Sequence, residues 1–137
     1  MTTCFVDTNL FIRYLTNDDP AKAERVERLL KDAAAGKVRL VTAEMVIAEI
    51  VWVLESSYAL KSAEIAPLIR AILATSGLDV LNAALVARAL EHYESKNIDF
   101  IDGYIAAMME KQGIQELYSF DRKQISRIQA ISRKEPK

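Results

Sequence analysis

Short apolar runs alternate along the chain with longer segments in which apolar residues recur every three or four positions. The short runs are typical of buried β-strands, and the longer pattern is typical of amphipathic α-helices. Strands are therefore predicted at residues 3–6, Val38–Val41, Leu78–Leu81 and Leu117–Phe120.

Helices are predicted in the intervals between these strands. One of them starts at Asp18-Asp19-Pro20, where an acidic residue precedes a proline at the first turn. Thr42, Asn82 and Asp99 are predicted to cap three later helices, and Gly113 is predicted to end the last of them. The predicted helices cover Asn9–Leu15, 20–35, 43–57, 62–75, Asn82 to Lys96 and 100–112, and a short helix and a last edge strand near 128–132 follow.

This alternation of strands and helices predicts the α/β class. The expected architecture is a three-layer α/β/α sandwich with a mostly parallel sheet of four to five strands. In such sheets, functional sites form beyond the carboxyl ends of the strands. A length of 137 residues suits one domain, covering residues 1–137, with a hydrophobic core of its own.

Composition narrows the class of protein further. Half of the residues are apolar and the net charge is −1, which indicates a globular chain and not a disordered one. No apolar run has transmembrane length and no signal segment starts the chain, so we expect a cytoplasmic protein without a membrane partner. The single cysteine, Cys4, excludes an intramolecular disulfide and is expected to be buried in the first strand.

Four carboxylates stand at positions where an ordinary core would not place them. Asp7 ends the first apolar run, Asp121 follows the fourth strand, Glu49 interrupts an apolar helix, and Asp102 begins the apolar face of another. Unpaired carboxylates are costly to bury, and several that converge repel one another unless a cation neutralises them. Oxygen ligands suit Mg²⁺ or Mn²⁺. The pattern predicts a metal-dependent hydrolase of phosphate esters.

Each of these acids also has a purely structural interpretation. Asp7 could cap the helix that follows it, and Glu49 could face a buried arginine or a backbone donor. Asp99 and Asp102 could both be acids that favour a helix N-terminus, while Asp121 could form a turn. The placement of two acids at carboxyl ends of strands favours the functional interpretation.

Other types of site are poorly supported by the sequence. The single histidine, His92, stands beside Glu91 in a helix and is expected to be solvated. A glycine-rich phosphate loop is missing, and no Ser/His or Cys/His pair can be assembled. Water activated by one or two metal ions remains as the expected nucleophile.

The four acids lie in four segments whose order and spacing are informative. These segments are Val6–Asn9, Thr42–Ile50, Phe100–Ala107 and Leu117–Asp121. Together they resemble the motifs of the PIN domain family, particularly its small VapC-type toxins from bacterial and archaeal toxin–antitoxin pairs. The resemblance covers essentially the whole chain. Two mild departures are Gly103, where the family usually has alanine, and Ser119, where threonine is commoner.

The resemblance implies an endoribonuclease that cleaves RNA phosphodiester bonds with activated water. It further implies a parallel sheet between helices and a homodimer that a small, VapB-like antitoxin binds and inhibits. Carried over residue by residue, it implies Mg²⁺ or Mn²⁺ ligands at Asp7, Glu49, Asp102 and Asp121, with support from Thr8, Asn9 and Ser119. Thr8 and Asn9 would steady the loop, and Ser119 would bridge Asp121 to water or metal.

Several other functions remain open at this point. A phosphatase of the haloacid-dehalogenase type would need a second aspartate where the chain has Asn9, and a receiver domain would need paired acids that are not evident. A catalytically inactive PIN-like binding module is a non-enzymatic alternative. A PIN-domain nuclease that processes RNA and is not a toxin would use the same residues.

Two surface features complete the expectations. The cations Arg13, Lys22, Arg25 and Arg28 are spaced like a solvated helix face, which is the interpretation that the spacing favours. The helices also carry more apolar residues than one small sheet needs, which predicts coverage by a second copy or a partner. These apolar residues are Trp52, Leu54, Leu60, Ile65, Leu68, Ile69, Ile72 and Leu73.

Overall fold

The computed structural model describes residues 1–123 and 125–137. Within these residues, parallel strands alternate with α-helices, which confirms the predicted α/β class. The strands are β1 (Thr2–Phe5), β2 (Val38–Thr42), β3 (Leu78–Val80), β4 (Glu116–Tyr118) and β5 (Ser132–Lys134). The helices are α1 (Thr8–Thr16), α2 (Pro20–Ala34), α3 (Glu44–Ser56), α4 (Ser62–Leu73), α5 (Ala83–Ser95) and α6 (Phe100–Gln112).

The chain divides into two compact units, Met1–Ala83 and Ala84–Lys137. In the first unit, β1, β2 and β3 form a parallel sheet in that order, with Thr2 opposite Val38 and Leu40 opposite Leu78. The largest fully buried side chains of this unit are Phe11, Leu40, Ile47, Ile50, Leu54, Ile65 and Ile69. Burial of such side chains contributes most of the stability of a small domain.

The local signals at α2 act as the sequence predicted. Asp19 is its N-cap, and the side-chain oxygen of Asp19 accepts a hydrogen bond from the backbone N–H of Lys22 over 3.2 Å. Pro20 occupies the first turn, where its missing N–H would have had no partner in the helix. The start of this helix is therefore encoded by its own residues.

The predicted role of Thr42 as a helix cap is wrong. The N-cap of α3 is Ala43, which has no side chain that could accept a hydrogen bond. Thr42 instead ends β2 as a fully buried residue, and its hydroxyl donates to the backbone oxygen of Val6 over 2.9 Å. Because Val6 directly precedes Asp7, this bond helps to fix the backbone next to Asp7, the first of the predicted site residues.

The second unit contains α5, α6 and the parallel pair β4–β5, in which Glu116 lies opposite Ser132. Gly103 allows α5 and α6 to pack closely, because a Cβ atom added there would come within 2.9 Å of the backbone oxygen of Ala89. Gly113 ends α6 with a φ of 70°, as predicted. The last strand begins at Ser132, further along the chain than the predicted edge strand near 128–132.

Two predictions of burial are wrong. Cys4 is exposed, as are all four residues of β1, an edge strand that bonds within its three-stranded sheet only to β2. His92 is buried, because its face of α5 is turned towards α6, where its Nε2 lies 2.7 Å from Oε1 of Glu110. The sequence pattern could not place either residue relative to its neighbours in space.

The surplus of apolar helical surface is smaller than the sequence predicted. Leu54, Ile65, Ile69 and Ile72 are buried within the chain itself. Leu60, Leu68 and Leu73 are half-buried, and Trp52 remains 65% exposed. The described part of the chain contains no helix that is long and apolar enough to span a membrane.

An ion-pair cluster around Glu110 predicts how stability depends on pH. Burial raises the pKa of Glu110, but hydrogen bonds from His92 and Arg88 outweigh that effect and lower it. A lowered carboxyl pKa stabilises the folded state above the ordinary value of about 4.3, and this contribution is lost as the pH falls through the folded value. Glu110→Gln should therefore lower stability at neutral pH, by up to about 1 kcal/mol for a partly exposed group.

Denaturant unfolding of both proteins between neutral and acidic pH measures this difference. The gap between wild type and Glu110→Gln should close as the solution is acidified. Glu27→Gln is the matched control, because Glu27 also pairs with a cation, Lys31, but on an open helix face. A gap that widens on acidification would contradict the prediction.

Candidate active site

Asp7 and Glu49 line one open pocket of about 310 Å³ in the first unit. Asp7 is the N-cap of α1, and its Oδ1 accepts a hydrogen bond from the backbone N–H of Thr8 over 2.8 Å. The structural interpretation of Asp7 as a cap is thus correct. A capping carboxylate keeps its second oxygen for another ligand, so capping is compatible with metal binding.

Glu49 lies exposed in the middle of α3, between Ala48 and Ile50. Among the residues that the structure describes, none forms a hydrogen bond or an ion pair with its carboxylate. Within the described part of the chain, the buried arginine or backbone donor that the sequence left open as a partner of Glu49 is therefore not found. The carboxylate is available to a ligand in the pocket that it shares with Asp7.

Thr8 contributes an unusual polar atom to the same pocket. The residue is 7% exposed, and its Oγ1 is buried without a hydrogen-bond partner among the described atoms. A buried hydroxyl left unpaired costs about 1–3 kcal/mol. A bound water, or a ligand of a metal ion, would supply the missing partner. This observation fits a site that is completed by a hydrated cation.

A cation borders this pocket. The guanidinium of Arg13 lies 2.8 Å from Oδ2 of Asp18, and the hydroxyl of Tyr58 donates to the same oxygen. The hydrogen bonds from Tyr58 and Arg13 lower the pKa of Asp18. Asp18 therefore stays ionised and holds Arg13 in place. Tyr58 carries no sequence signal for this role, whereas Arg13 stands four residues after Asn9 and so shares its helix face.

In the second unit, Asp102 lies half-buried in the first turn of α6. Its pKa is raised by burial and then by the negative charges of Asp121 and Asp99. The structure thus brings Asp102 and Asp121 close enough to repel each other. Asp99 is the N-cap of α6 as predicted, although its side chain makes no capping hydrogen bond.

Asp121 is held in a turn that follows β4. Its Oδ1 accepts a hydrogen bond from the backbone N–H of Lys123 over 2.8 Å, and its own N–H donates to Oγ of Ser119 over 3.0 Å. The interpretation of Asp121 as a turn former is correct. Ser119 supports Asp121 through the backbone, so the hydroxyl positions this acid within the turn.

The donors present are of the right chemical kind for a hard divalent ion. Asp7 and Glu49 share a pocket in one unit, and Asp102 interacts with Asp121 in the other. Carboxylate oxygens are the ligands that Mg²⁺ and Mn²⁺ prefer. Within residues 1–123 and 125–137, no three His, Cys, Asp or Glu side chains form a cluster that could hold a metal ion. Convergence of all four acids remains a prediction.

Comparison with known proteins is consistent with these features. The PIN domain family matches residues 4–131, which cover most of both compact units, and the chain therefore belongs to this family. The chain is also 25% identical over 118 residues to a VapC ribonuclease of Aquifex aeolicus (strain VF5), across 86% of this chain and 87% of that protein. The family predicted from the four sequence segments is confirmed.

Proposed function

We propose that this protein is a metal-dependent endoribonuclease that hydrolyses RNA phosphodiester bonds, with its 137 residues forming a single PIN domain. The observation that carries the proposal is the shared pocket of Asp7 and Glu49, two carboxylates without a described cationic partner, beside the unpaired hydroxyl of Thr8. Similarity to a VapC ribonuclease supports RNA as the substrate class.

Asp7, Glu49, Asp102 and Asp121 are the residues that would hold Mg²⁺ or Mn²⁺. When bound, such an ion would activate water and neutralise charge on the phosphoryl group. Thr8 and Asn9 lie in the same pocket as Asp7, where a hydroxyl and an amide can orient water or a phosphate oxygen. Ser119 holds the turn that presents Asp121.

We further propose that the protein is the toxin of a type II toxin–antitoxin pair in the cytoplasm, and that a small VapB-like antitoxin inhibits it. Met45 and Trp52 flank Glu49 on the same exposed face of α3, with 80% and 65% exposure. Exposed apolar residues of this size next to a polar site favour coverage by another protein chain. A homodimer would also cover exposed apolar surface of this kind.

Metal removal is the direct test of the proposed mechanism. Wild-type protein incubated with a broad pool of single-stranded RNA should cleave with added Mn²⁺ or Mg²⁺ and should lose this activity in chelator. The reason is that activation of water is the chemistry that a divalent ion would supply to this site. The measurement is the length distribution of the RNA before and after incubation.

Re-addition of Mn²⁺ after chelation is the control and should restore cleavage. Unchanged cleavage in chelator would contradict the metal-nuclease mechanism. RNA binding without cleavage under every metal condition would instead favour an inactive PIN-like binding module.

A further inference from the structure

A second depression lies in the first unit, between α1 and α2. Its volume is about 430 Å³, which is larger than the pocket of Asp7 and Glu49. We call it the α1–α2 groove. It is lined by Asn9, Leu10, Arg13, Lys22, Arg25, Val26 and Leu29, so its lining contains three cations and no acid.

The groove has an apolar floor and a cationic rim. Val26 is buried and Leu29 is half-buried, and both lie on the α2 face that carries Lys22 and Arg25. Spacings of three, four and seven residues place all of them on one side of a helix. The sequence interpretation of Lys22 and Arg25 as a freely solvated face is therefore incomplete, because both border a concave surface.

The cations of the rim differ in how strongly they are already neutralised. The Nζ atom of Lys22 lies 3.9 Å from Oδ2 of Asp19, which is a long ion pair, and both side chains are well exposed. Arg25 forms no ion pair or hydrogen bond with any residue of the described chain. Arg28, one turn further along α2, pairs with Glu24 over 3.2 Å and lies outside the groove. The structure thus distinguishes Arg25, which has no partner among the described residues, from Arg28, which pairs with Glu24 outside the groove.

The groove and the acidic pocket share a wall. Asn9 and Arg13 line both depressions. Four residues of α-helix advance about 6 Å, so the shared wall is about one turn of α1 long. A chain molecule that occupies the acidic pocket can therefore continue into the α1–α2 groove without leaving the surface.

We propose that the α1–α2 groove binds the phosphodiester backbone of the RNA strand beside the bond that is cleaved. This inference rests on the proposed ribonuclease function and specifies where its substrate lies. Phosphates next to an acidic site gain from nearby cations, and Lys22 and Arg25 supply them. The apolar floor suits the face of a base or a sugar. An acidic segment of a partner protein would match the same cations, but the apolar floor and the wall shared with the cleavage pocket favour a continuous RNA strand.

Binding of a labelled single-stranded RNA pool, measured in chelator so that no RNA is cleaved, tests this assignment. The double variant Lys22→Gln/Arg25→Gln should raise Kd about tenfold. The slope of log Kd against log salt should fall by about 1.4, which corresponds to roughly 0.7 for each lost phosphate contact on a single strand. Arg28→Gln is the matched control and should change neither quantity. With Mn²⁺ present, the double variant should raise KM and keep kcat.

The possible outcomes separate the groove from the nuclease proposal. Cleavage by wild type together with an unchanged Kd in the double variant would refute RNA binding in the groove but not the nuclease proposal. An equal loss of RNA affinity in Arg28→Gln would also refute RNA binding in the groove. It would indicate that RNA is attracted by charge spread over the surface. Loss of poly-L-glutamate binding with RNA binding intact would assign the groove to an acidic protein segment. Groove-dependent RNA binding without cleavage would support the groove and refute the nuclease, and absence of RNA binding by wild type would refute both.

Discussion

Asp7→Asn is expected to lower the rate of RNA cleavage about a hundredfold and leave the fold intact. The substitution removes the charge that would hold a divalent ion, and the loss of about 3 kcal/mol of transition-state stabilisation lowers a rate about a hundredfold. Asparagine is as good an N-cap as aspartate, so the bond to the N–H of Thr8 that begins α1 is retained. The measurement is the initial rate of cleavage of the RNA pool with Mn²⁺.

The control for this variant is its stability. Its unfolding free energy in chelator should lie within about 0.5 kcal/mol of wild type, as expected when one good cap replaces another. Equal rates for Asp7→Asn and wild type would refute the role of Asp7 as a ligand. A rate loss that accompanies unfolding would show that the substitution affected the helix cap and not the metal ligand. The Glu49 variant would then decide whether the carboxylates of the pocket are needed for cleavage.

Glu49→Gln is expected to reduce cleavage by a similar factor, about a hundredfold, for the same loss of charge in the shared pocket. Glu49 makes no described hydrogen bond or ion pair and lies exposed on α3, so the change should leave stability unaltered. An effect of substitution on activity can therefore be separated from an effect on stability more cleanly at Glu49 than at Asp7, which also caps α1. The measurement is again the cleavage rate, taken with a thermal melt of each protein.

Glu44→Gln is the matched control on the same helix. The carboxylate of Glu44 accepts a hydrogen bond from the side chain of Asn82 over 3.2 Å, and Glu44 does not line the pocket. Its activity should equal that of wild type. Similar losses at Glu44 and Glu49 would indicate that α3 responds to any charge change and would remove the case for Glu49 as a ligand.

The features that the sequence predicted best are those set by residues close together in the chain. Asp19 and Pro20 start α2 through their own backbone geometry and side-chain oxygen, and Gly113 ends α6 in the left-handed conformation. The period of the apolar residues placed the helices because each helix must bury one face. These signals act locally and need no knowledge of the tertiary structure.

The features that were mispredicted depend on residues distant in the sequence. Thr42 bonds to Val6, 36 positions away, so the rule for helix caps could not place it. His92 is buried through Glu110, and this contact requires the close approach of α5 and α6 at Gly103. A pattern along the chain shows which residues could be buried but not which partner will cover them.

The candidate site also combines features that the sequence predicted with features that depend on the tertiary structure. Asp7 could be placed at the end of a strand, and the structure sets it in one pocket with Glu49. Tyr58 and Arg13 were not predicted to border that pocket, because their positions follow from how α1 and α3 pack. Residue chemistry therefore suggested the acids as candidates, while the position of Arg13 and Tyr58 beside Asp7 and Glu49 became visible only in three dimensions.

The cap at the start of α1 has a consequence for how tightly an ion can bind. A free aspartate side chain samples several rotamers, and a ligand that fixes it must offset the lost conformational entropy. At Asp7, the bond to the N–H of Thr8 has already restricted those rotamers when the chain folds. An ion that binds there meets a preorganised oxygen, so folding carries part of the entropic cost of assembling the site.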